Sequence, residues 1–372
     1  MKKIGVIAEY NPFHNGHLYH LNKIKEMYKD SYIILILIGN FTQRGEISVI
    51  NKWDKTKIAL EYGYDLVVEL PFLYATQAAN YYASGAIKLL NYLKCDYLVF
   101  GSETNDIDLF KKLVDITYNN KEYELLVKKY IDKGLNYPTA SSYALKDISN
   151  TVIDKPNDVL GLEYVRQIKL QNSNIIPVSI KRTNNYHDIN IDSNITSASS
   201  IRRNINNKEL IKDTMPNNVS KYINNIDYNK YFDILKYQII SSNNLNNYIG
   251  VDEGIENKLK KEIHNAKDLN DLILKVKSKR YSYNRIQRML LHIICKNKKE
   301  DNNLDIKYIR VLGLNNNGKK ILKDIKNIDI PVITKFKKEY ESLFDEDIKA
   351  NEIYNLLSNN NVQEYDTCII KK

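Results

Sequence analysis

Gly5-Val6-Ile7-Ala8-Glu9-Tyr10-Asn11-Pro12-Phe13-His14-Asn15-Gly16-His17-Leu18-Tyr19-His20-Leu21 runs from an apolar strand-like segment, through a polar break, into a helical pattern. The break falls at Asn11-Pro12, because proline excludes the αR region for the residue before it. Gly16 lets the backbone approach a ligand closely at a helix start. The unpaired N–H groups and positive dipole end of that helix favour phosphate. Three of the six histidines of the chain lie between His14 and His20. Imidazoles at His14 and His17 can donate hydrogen bonds to phosphate oxygens as charge builds in an in-line displacement at an α-phosphorus, with no covalent intermediate.

Two other readings compete. Zinc held by His14, His17 and His20 would need a ligand set that the spacing of three and three, with only Glu9 as a nearby acid, does not match. Histidines that serve only to start a helix would explain neither their clustering nor their place after a buried strand.

Outward from this stretch, strand-like runs recur at Ile4 to Ala8, Ile33 to Ile38, Leu66 to Leu70, Tyr97 to Phe100 and Ile175 to Ile180. Several are apolar without alternation, which implies burial on both faces, the habit of a parallel sheet covered by helices. Helical patterns fill the gaps, from Gly16 to Tyr28, Trp53 to Tyr62, Ala78 to Leu93 and Asp158 to Leu170. The order predicts a doubly wound parallel α/β domain over residues 1–206, with ligands outside the carboxyl ends of its strands.

Residues 207–372 are expected to be a mostly helical, basic domain. Leu269, Leu272, Ile273 and Val276 repeat at three and four, as do Ile286, Met289, Leu290, Ile293 and Ile294. A short strand is expected at Ile330 to Ile333, after a polar Asn315-Asn316-Asn317-Gly318 turn. Between Asn257 and Lys299 thirteen Lys or Arg face only Glu262, Asp268 and Asp271, an excess of ten that equals the +10 of the whole chain. Lys275, Lys277, Lys279, Arg280, Arg285 and Arg288 are interleaved there with Tyr281, Tyr283 and Gln287. Cations that neutralise phosphates beside rings that stack on unpaired bases make an RNA footprint, against the plainer reading of a solvated face.

Composition bounds the rest. With 43% hydrophobic and 27% charged residues over 372 positions, the chain has ample material for a core and is not intrinsically disordered. The longest apolar run, Tyr32 to Ile38, is strand-sized, so no membrane span is expected. The N-terminus lacks a cleavable leader pattern, and a cytoplasmic location is expected. Cys95, Cys295 and Cys368 are odd in number and far apart, which fits reduced structural thiols.

The string Glu9 to His17 contains His14-Asn15-Gly16-His17, the HxGH signature of the nucleotidyltransferase superfamily, and resembles one branch of it, the bacterial tRNA(Met) cytidine acetate ligases. Further matches follow in order. They are Gly39-Asn40-Phe41-Thr42-Gln43-Arg44-Gly45-Glu46, Phe100-Gly101-Ser102-Glu103, Pro156-Asn157-Asp158 with Leu160-Gly161, and Ile180-Lys181-Arg182 with Tyr186-His187-Asp188. Ser197-Ala198-Ser199-Ser200-Ile201-Arg202, Lys279-Arg280-Tyr281, Arg285-Ile286-Gln287-Arg288 and Arg310-Val311-Leu312-Gly313 complete the set, so the resemblance covers both parts of the chain. Ile38 departs from the family's small Ser, and Lys55 from its usual Arg.

The resemblance implies a Rossmann-like fold of the HxGH type. It implies a cytoplasmic ligase that activates acetate with ATP to acetyl-adenylate and transfers the acetyl group to the wobble cytidine of elongator tRNA(Met). It places His14 and His17 at the chemistry. Ile7, Ala8, Glu9, Asn11, Gly16, His20, Gly101, Asn157, Arg182, Ser199 and Arg202 are expected to hold ATP, with Mg2+ on the ATP phosphates. Lys277, Lys279, Arg280, Arg285 and Arg288 are expected to hold tRNA. Elongator tRNA(Met) and acetate are the implied partners, with no obligatory protein partner. A small-molecule adenylyltransferase of the pantetheine-phosphate or nicotinamide-mononucleotide type shares the HxGH element but has no use for a basic helical half. A non-catalytic RNA-binding protein that senses a nucleotide is the third alternative.

Overall fold

The computed structural model describes residues 1–182, 194–302, 305–364 and 369–372, so Tyr186-His187-Asp188 and Cys368 lie outside the described residues. Strands β1 (Lys2–Ala8), β2 (Ser31–Ile38), β3 (Leu66–Leu70), β4 (Tyr97–Ser102) and β5 (Ile176–Lys181) pair in parallel in the order β5-β4-β1-β2-β3. The apolar runs behave as double-sided burial requires. Ile34, Ile36 and Ile38 of β2 enter one core, and Ile33, Leu35 and Leu37 enter the core on the opposite face. Helices Ala79–Tyr92, Ile107–Thr117 and Pro156–Leu170 cover the first face; Asn15–Met27 and Lys52–Tyr62 cover the second.

Chain reversal between β1, β2 and β3 on one side and β4 and β5 on the other makes a switch point between β1 and β4. Open α/β sheets bind ligands in the crevice at such a point.

The C-terminal part is mostly helical, as expected, and also adds strands to the sheet, of which only the one near 330–333 was expected. β6 (Ile309–Leu314) joins the sheet antiparallel to β3, and β7 (Val332–Ile333) and β8 (Ile370–Lys371) pair with β6, making the sheet mixed and eight-stranded. All six residues of β6 are buried, including Arg310, whose charge interrupts the apolar run and conceals the strand in the sequence. The segment Asn315 to Gly318 is a helix start rather than a turn: Asn315 Oδ1 accepts from the N–H groups of Asn317 and Gly318 and caps the helix Asn316–Asp324.

Helices Tyr228–Ser241, Ile255–Glu262, Leu269–Val276, Tyr283–Ile294 and Asp345–Ser358 enclose a third core. Phe41, Ile47 and Phe72 from the sheet part are members of it, so the bundle and the sheet share apolar packing. No helix among the described residues is long and apolar enough to cross a membrane.

Candidate active site

A cavity of about 640 Å³ opens at the carboxyl ends of β1, β4 and β5. Its inner wall is the stretch after β1. Tyr10 has a left-handed backbone (φ 49°) and the Asn11-Pro12 peptide is cis. Asn11 is buried; its Oδ1 accepts from Val49 N–H at 2.8 Å and its carbonyl accepts from Arg202 at 2.7 Å.

His14 is the N-cap of the helix Asn15–Met27, and its Nδ1 accepts the Gly16 N–H at 3.0 Å. His17 reaches back so that its own Nδ1 accepts the His14 N–H at 3.3 Å, completing a capping box made of two imidazoles. A backbone N–H can only donate, so each Nδ1 is unprotonated and each neutral ring carries its proton on Nε2. Gly16 is required by this cap: a Cβ there would lie 2.8 Å from His14 Cε1. Burial first, then the charges of Arg182 and Arg202, pull His14 down to about 3. Burial, with His14, Arg182 and His20, holds His17 well below the usual imidazole range. His20 is drawn to about 4 by burial and Arg182. Tyr10 and Phe13 pack against His17 at centroid distances of 4.7 and 5.8 Å and supply part of that burial.

The structure gathers the expected nucleotide residues into one wall. Ile7, Ala8, Glu9, Asn11, His14, Gly16, His17, His20, Gly101, Asn157, Arg182, Ser199 and Arg202 all line the cavity. Glu9 accepts Gln43 N–H at 2.7 Å, and burial raises its pKa. At Gly101 a Cβ would meet Arg182 Cγ at an ordinary 3.4 Å, so the protein alone does not demand glycine there. Asn157 is not a cap, since Lys155 is the N-cap; its side chain donates to Glu103 at 2.6 Å. Ser197, not Ser199, caps the short helix Ala198–Arg203, leaving the Ser199 hydroxyl beside that of Ser197 at 2.9 Å. Arg202 pairs with Glu46 at 2.6 Å.

The five residues expected to hold tRNA divide. Lys277 and Lys279 are exposed. Arg280 pairs with Glu253 at 3.3 Å, and Arg285 stacks over Tyr281 at 3.9 Å while donating to the Arg280 carbonyl. Arg288 is in the cavity wall with Ser282 and Asn284. The stacking role read for Tyr281 is corrected: its ring is buried in the bundle core, and its hydroxyl donates to the Asp252 carbonyl at 2.6 Å.

Several lining residues carry no role in the sequence reading. Tyr82 and Tyr164 sit on helices and pass there for core positions; burial keeps both phenols protonated. Asn136 and Thr139 come from the helix Tyr137–Ser149 and its cap, in a span whose three helices gave no motif. Gln43, Arg44 and Glu46 lie in the quoted Gly39 to Glu46 string, which was the available signal. Lys55 makes no contact with the cavity. It is buried, and its Nζ donates to the carbonyls of Gly39 at 2.6 Å, Glu9 at 3.1 Å and Ile38 at 3.2 Å, so its role is to tie the ends of β1 and β2. Among the described residues no group of three or more His, Cys, Asp or Glu is placed to hold a metal ion.

A Rossmann-like sheet with a histidine-capped helix start at its switch point defines a nucleotidyl transferase of the HIGH class, and the family described as HIGH Nucleotidyl Transferase matches residues 1–367. A tRNA(Met) cytidine acetate ligase of Caldicellulosiruptor saccharolyticus is 41% identical over 96% of this chain and 94% of its own length. One from Clostridium perfringens is 42% identical over 96% of each chain. The crystal structure of Thermotoga maritima TmcAL in its apo form superposes with a TM-score of 0.90 at 30% identity, covering 100% of this chain and 99% of that one. The same protein bound with alpha-thio ATP gives 0.88 at 30% identity and the same coverage. The chain belongs to the tRNA(Met) cytidine acetate ligase family.

Proposed function

We propose that the chain activates acetate with ATP and transfers the acetyl group to the N4 amine of the wobble cytidine in elongator tRNA(Met). The observation that carries the reading is the pair of neutral imidazoles, His14 and His17, each with its Nδ1 occupied by backbone and its Nε2–H left as a donor. In the first step an acetate oxygen attacks the α-phosphorus and pyrophosphate leaves. The two Nε2–H groups donate to the phosphate oxygens on which charge accumulates, and Arg182 stands close enough to act on both rings electrostatically. Donors fixed by a backbone cap need no reorganisation as that charge develops. Ile7, Ala8, Gly16, Gly101, Asn157 and Ser199 are the positions proposed to hold ATP around that centre. Among the described residues Glu9 and Glu46 are the acids lining the cavity, and Glu46 is paired with Arg202; Mg2+, which neutralises phosphate charge, is proposed to be held by the ATP phosphates.

In the second step the cytidine amine attacks the acetyl carbonyl, a C–N bond forms, the nitrogen releases one proton to solvent, and AMP leaves with the electrons of the broken C–O bond. The mixed anhydride is already activated, so placing the amine matters most. A base in an anticodon loop is exposed at little cost.

Catalysis is proposed for residues 1–206 and tRNA contact for the basic helices of 207–372. The entry of Ser282, Asn284 and Arg288 into the cavity wall supports a tRNA substrate over a small-molecule acceptor, which gives the bundle nothing to do. The test is incubation of the protein with Mg-ATP, labelled acetate and an unmodified elongator tRNA(Met) transcript, followed by nucleoside mass analysis. ATP-dependent label recovered as N4-acetylcytidine is the expected result. Adenylation with no label in RNA would reject the acceptor assignment.

A further inference from the structure

The Gly39 to Glu46 string forms a loop after β2 that folds back on itself. Thr42 N–H donates to the Glu46 carbonyl at 2.9 Å, Gly45 N–H to the Thr42 carbonyl at 2.9 Å, and Phe41 bridges Ile47. Its tip rests on the bundle: a Cβ on Gly45 (φ +80°) would lie 2.9 Å from both Cα and N of Arg288. This docking brings two like charges, Arg44 and Arg288, into the wall of one cavity. The Arg288 side chain has no hydrogen bond or ion pair among the described residues. Burial, then Arg285 and Arg44, pull its pKa down to about 10. Guanidiniums gathered in a partly desolvated wall repel one another, and their forked donors suit an anion held between them.

The place of the pair in the cavity says which anion. Arg182 follows β5 and Arg202 stands on the short helix Ala198–Arg203, whereas Arg288 stands on the bundle helix Tyr283–Ile294 and Arg44 on the loop docked against it. The second pair therefore enters the cavity wall from the side of the bundle. There the basic segment meets the cavity: cavity-lining Asn136 donates to the Lys279 carbonyl at 3.1 Å, Arg285 donates to the Arg280 carbonyl, and Lys277 and Lys279 of the same segment are exposed.

We propose that Arg44 and Arg288 form a seat for one phosphate of an RNA backbone in the bundle-side wall of the cavity, holding the nucleotide whose base enters it. The proposal rests on that part of the proposed function by which tRNA binds at this cavity, and not on the acetyl transfer itself. One phosphate held at a fixed distance from the reaction centre sets how far a single flipped or unstacked base can reach, and a cavity wall does this where exposed lysines cannot.

The test measures binding of an unmodified elongator tRNA(Met) transcript to the full chain and to its Arg44→Ala, Arg288→Ala and Arg288→Lys variants, from about 50 to 200 mM salt. Acetate-dependent exchange of labelled pyrophosphate into ATP is measured in parallel. Each Ala variant is expected to bind tRNA at least about tenfold more weakly, with a salt slope smaller by about 0.7 to 0.9. The tRNA defect should exceed any exchange defect by about tenfold or more, and Arg288→Lys, which keeps the charge and the stem beside Gly45, should recover part of the affinity. Equal losses in both assays would assign the pair to ATP's own phosphates and overturn the proposal, as would unchanged tRNA affinity in both Ala variants. A wild-type chain that binds the transcript yet transfers no acetate would reject the function proposed above and leave the phosphate seat standing. A chain that binds no transcript would reject both.

Discussion

His14 and His17 hold one another across the first turn of the helix Asn15–Met27, their ring centroids 3.8 Å apart and each Nδ1 taken by a backbone N–H. Burial keeps both rings neutral, so neither titrates in the ordinary histidine range. The rate of acetate-dependent pyrophosphate exchange should show no inflection near pH 6.5 from these rings. His17→Ala should lower it by about a hundredfold to a thousandfold, the usual cost of losing one transition-state donor. A pH–rate profile of wild type checks the first point, and an inflection at 6.5 that vanishes in His17→Gln would refute it.

The same neutrality makes a stability prediction. A histidine whose folded pKa is depressed leaves the unfolded chain binding more protons below about 6.5, so stability is complete above that pH and is lost as pH falls toward the folded value. Between pH 7 and 5, wild type should lose up to about 2 kcal/mol more than His17→Gln. Urea unfolding at the two pH values measures the difference. Equal losses would mean that His17 is protonated in the folded protein.

Gly45 predicts a steric effect. Its φ of +80° and the 2.9 Å approach to the Arg288 backbone exclude a side chain on two independent grounds. Gly45→Ala should cost about 2 kcal/mol or more, from the left-handed backbone penalty and from displacement of the loop. Unfolding midpoints check this. Because the loop carries Arg44, tRNA affinity should fall as well.

Much of this was legible in the sequence, and the remainder was hidden for physical reasons. β2 and β3 read correctly because an apolar run without alternation has few uses other than double-sided burial. The helix start at His14 read correctly because Pro12 and Gly16 punctuate it. β6 did not, because buried Arg310 looks like surface in a linear chain; only the partner Glu364, more than fifty residues later, makes it core. The like-charge pair in the cavity wall was equally unreadable, since Arg44 and Arg288 come to one cavity only through the docking of a glycine on a distant helix. Tyr281 misled for the converse reason: a ring among cations reads as a stacking surface, and here one face carries Arg285 while the hydroxyl is used internally.

Lys55 replaces the arginine that relatives were expected to carry, and its Nζ serves the Gly39, Glu9 and Ile38 carbonyls. Burial draws its pKa down to about 7, against the raising influence of Glu9 and Glu69. Lys55→Met removes those donors and leaves carbonyls at the ends of β1 and β2 unsatisfied. A loss of about 2–4 kcal/mol is expected from urea unfolding, with exchange activity lowered because the Glu9 backbone is no longer held. Full stability in Lys55→Met would show that water satisfies the carbonyls as well.

The buried charges around Lys52 give the last prediction. Lys52 is bonded to Glu69 at 2.9 Å and to Glu364, and Arg310 reaches Glu364 at 3.4 Å, all four side chains being buried where β3, β6 and the C-terminal segment meet. Nearby, Asp347 accepts from Phe72 N–H at 2.9 Å and from the Tyr308 hydroxyl at 2.6 Å. Burial, with the nearby Glu364 and Asp347, raises the Glu69 pKa against the opposing pull of Lys52. Lys52→Met leaves two acids facing Arg310 alone and should cost about 3–5 kcal/mol, because an uncompensated buried charge is worse than no charge. Adding Glu69→Leu should recover at least about 1 kcal/mol of that loss, since the orphaned carboxyl is then gone. A double-mutant cycle by urea unfolding measures the coupling. Strict additivity would mean that Lys52 and Glu69 are solvated independently and that the sheet is joined to its C-terminal strands by packing alone.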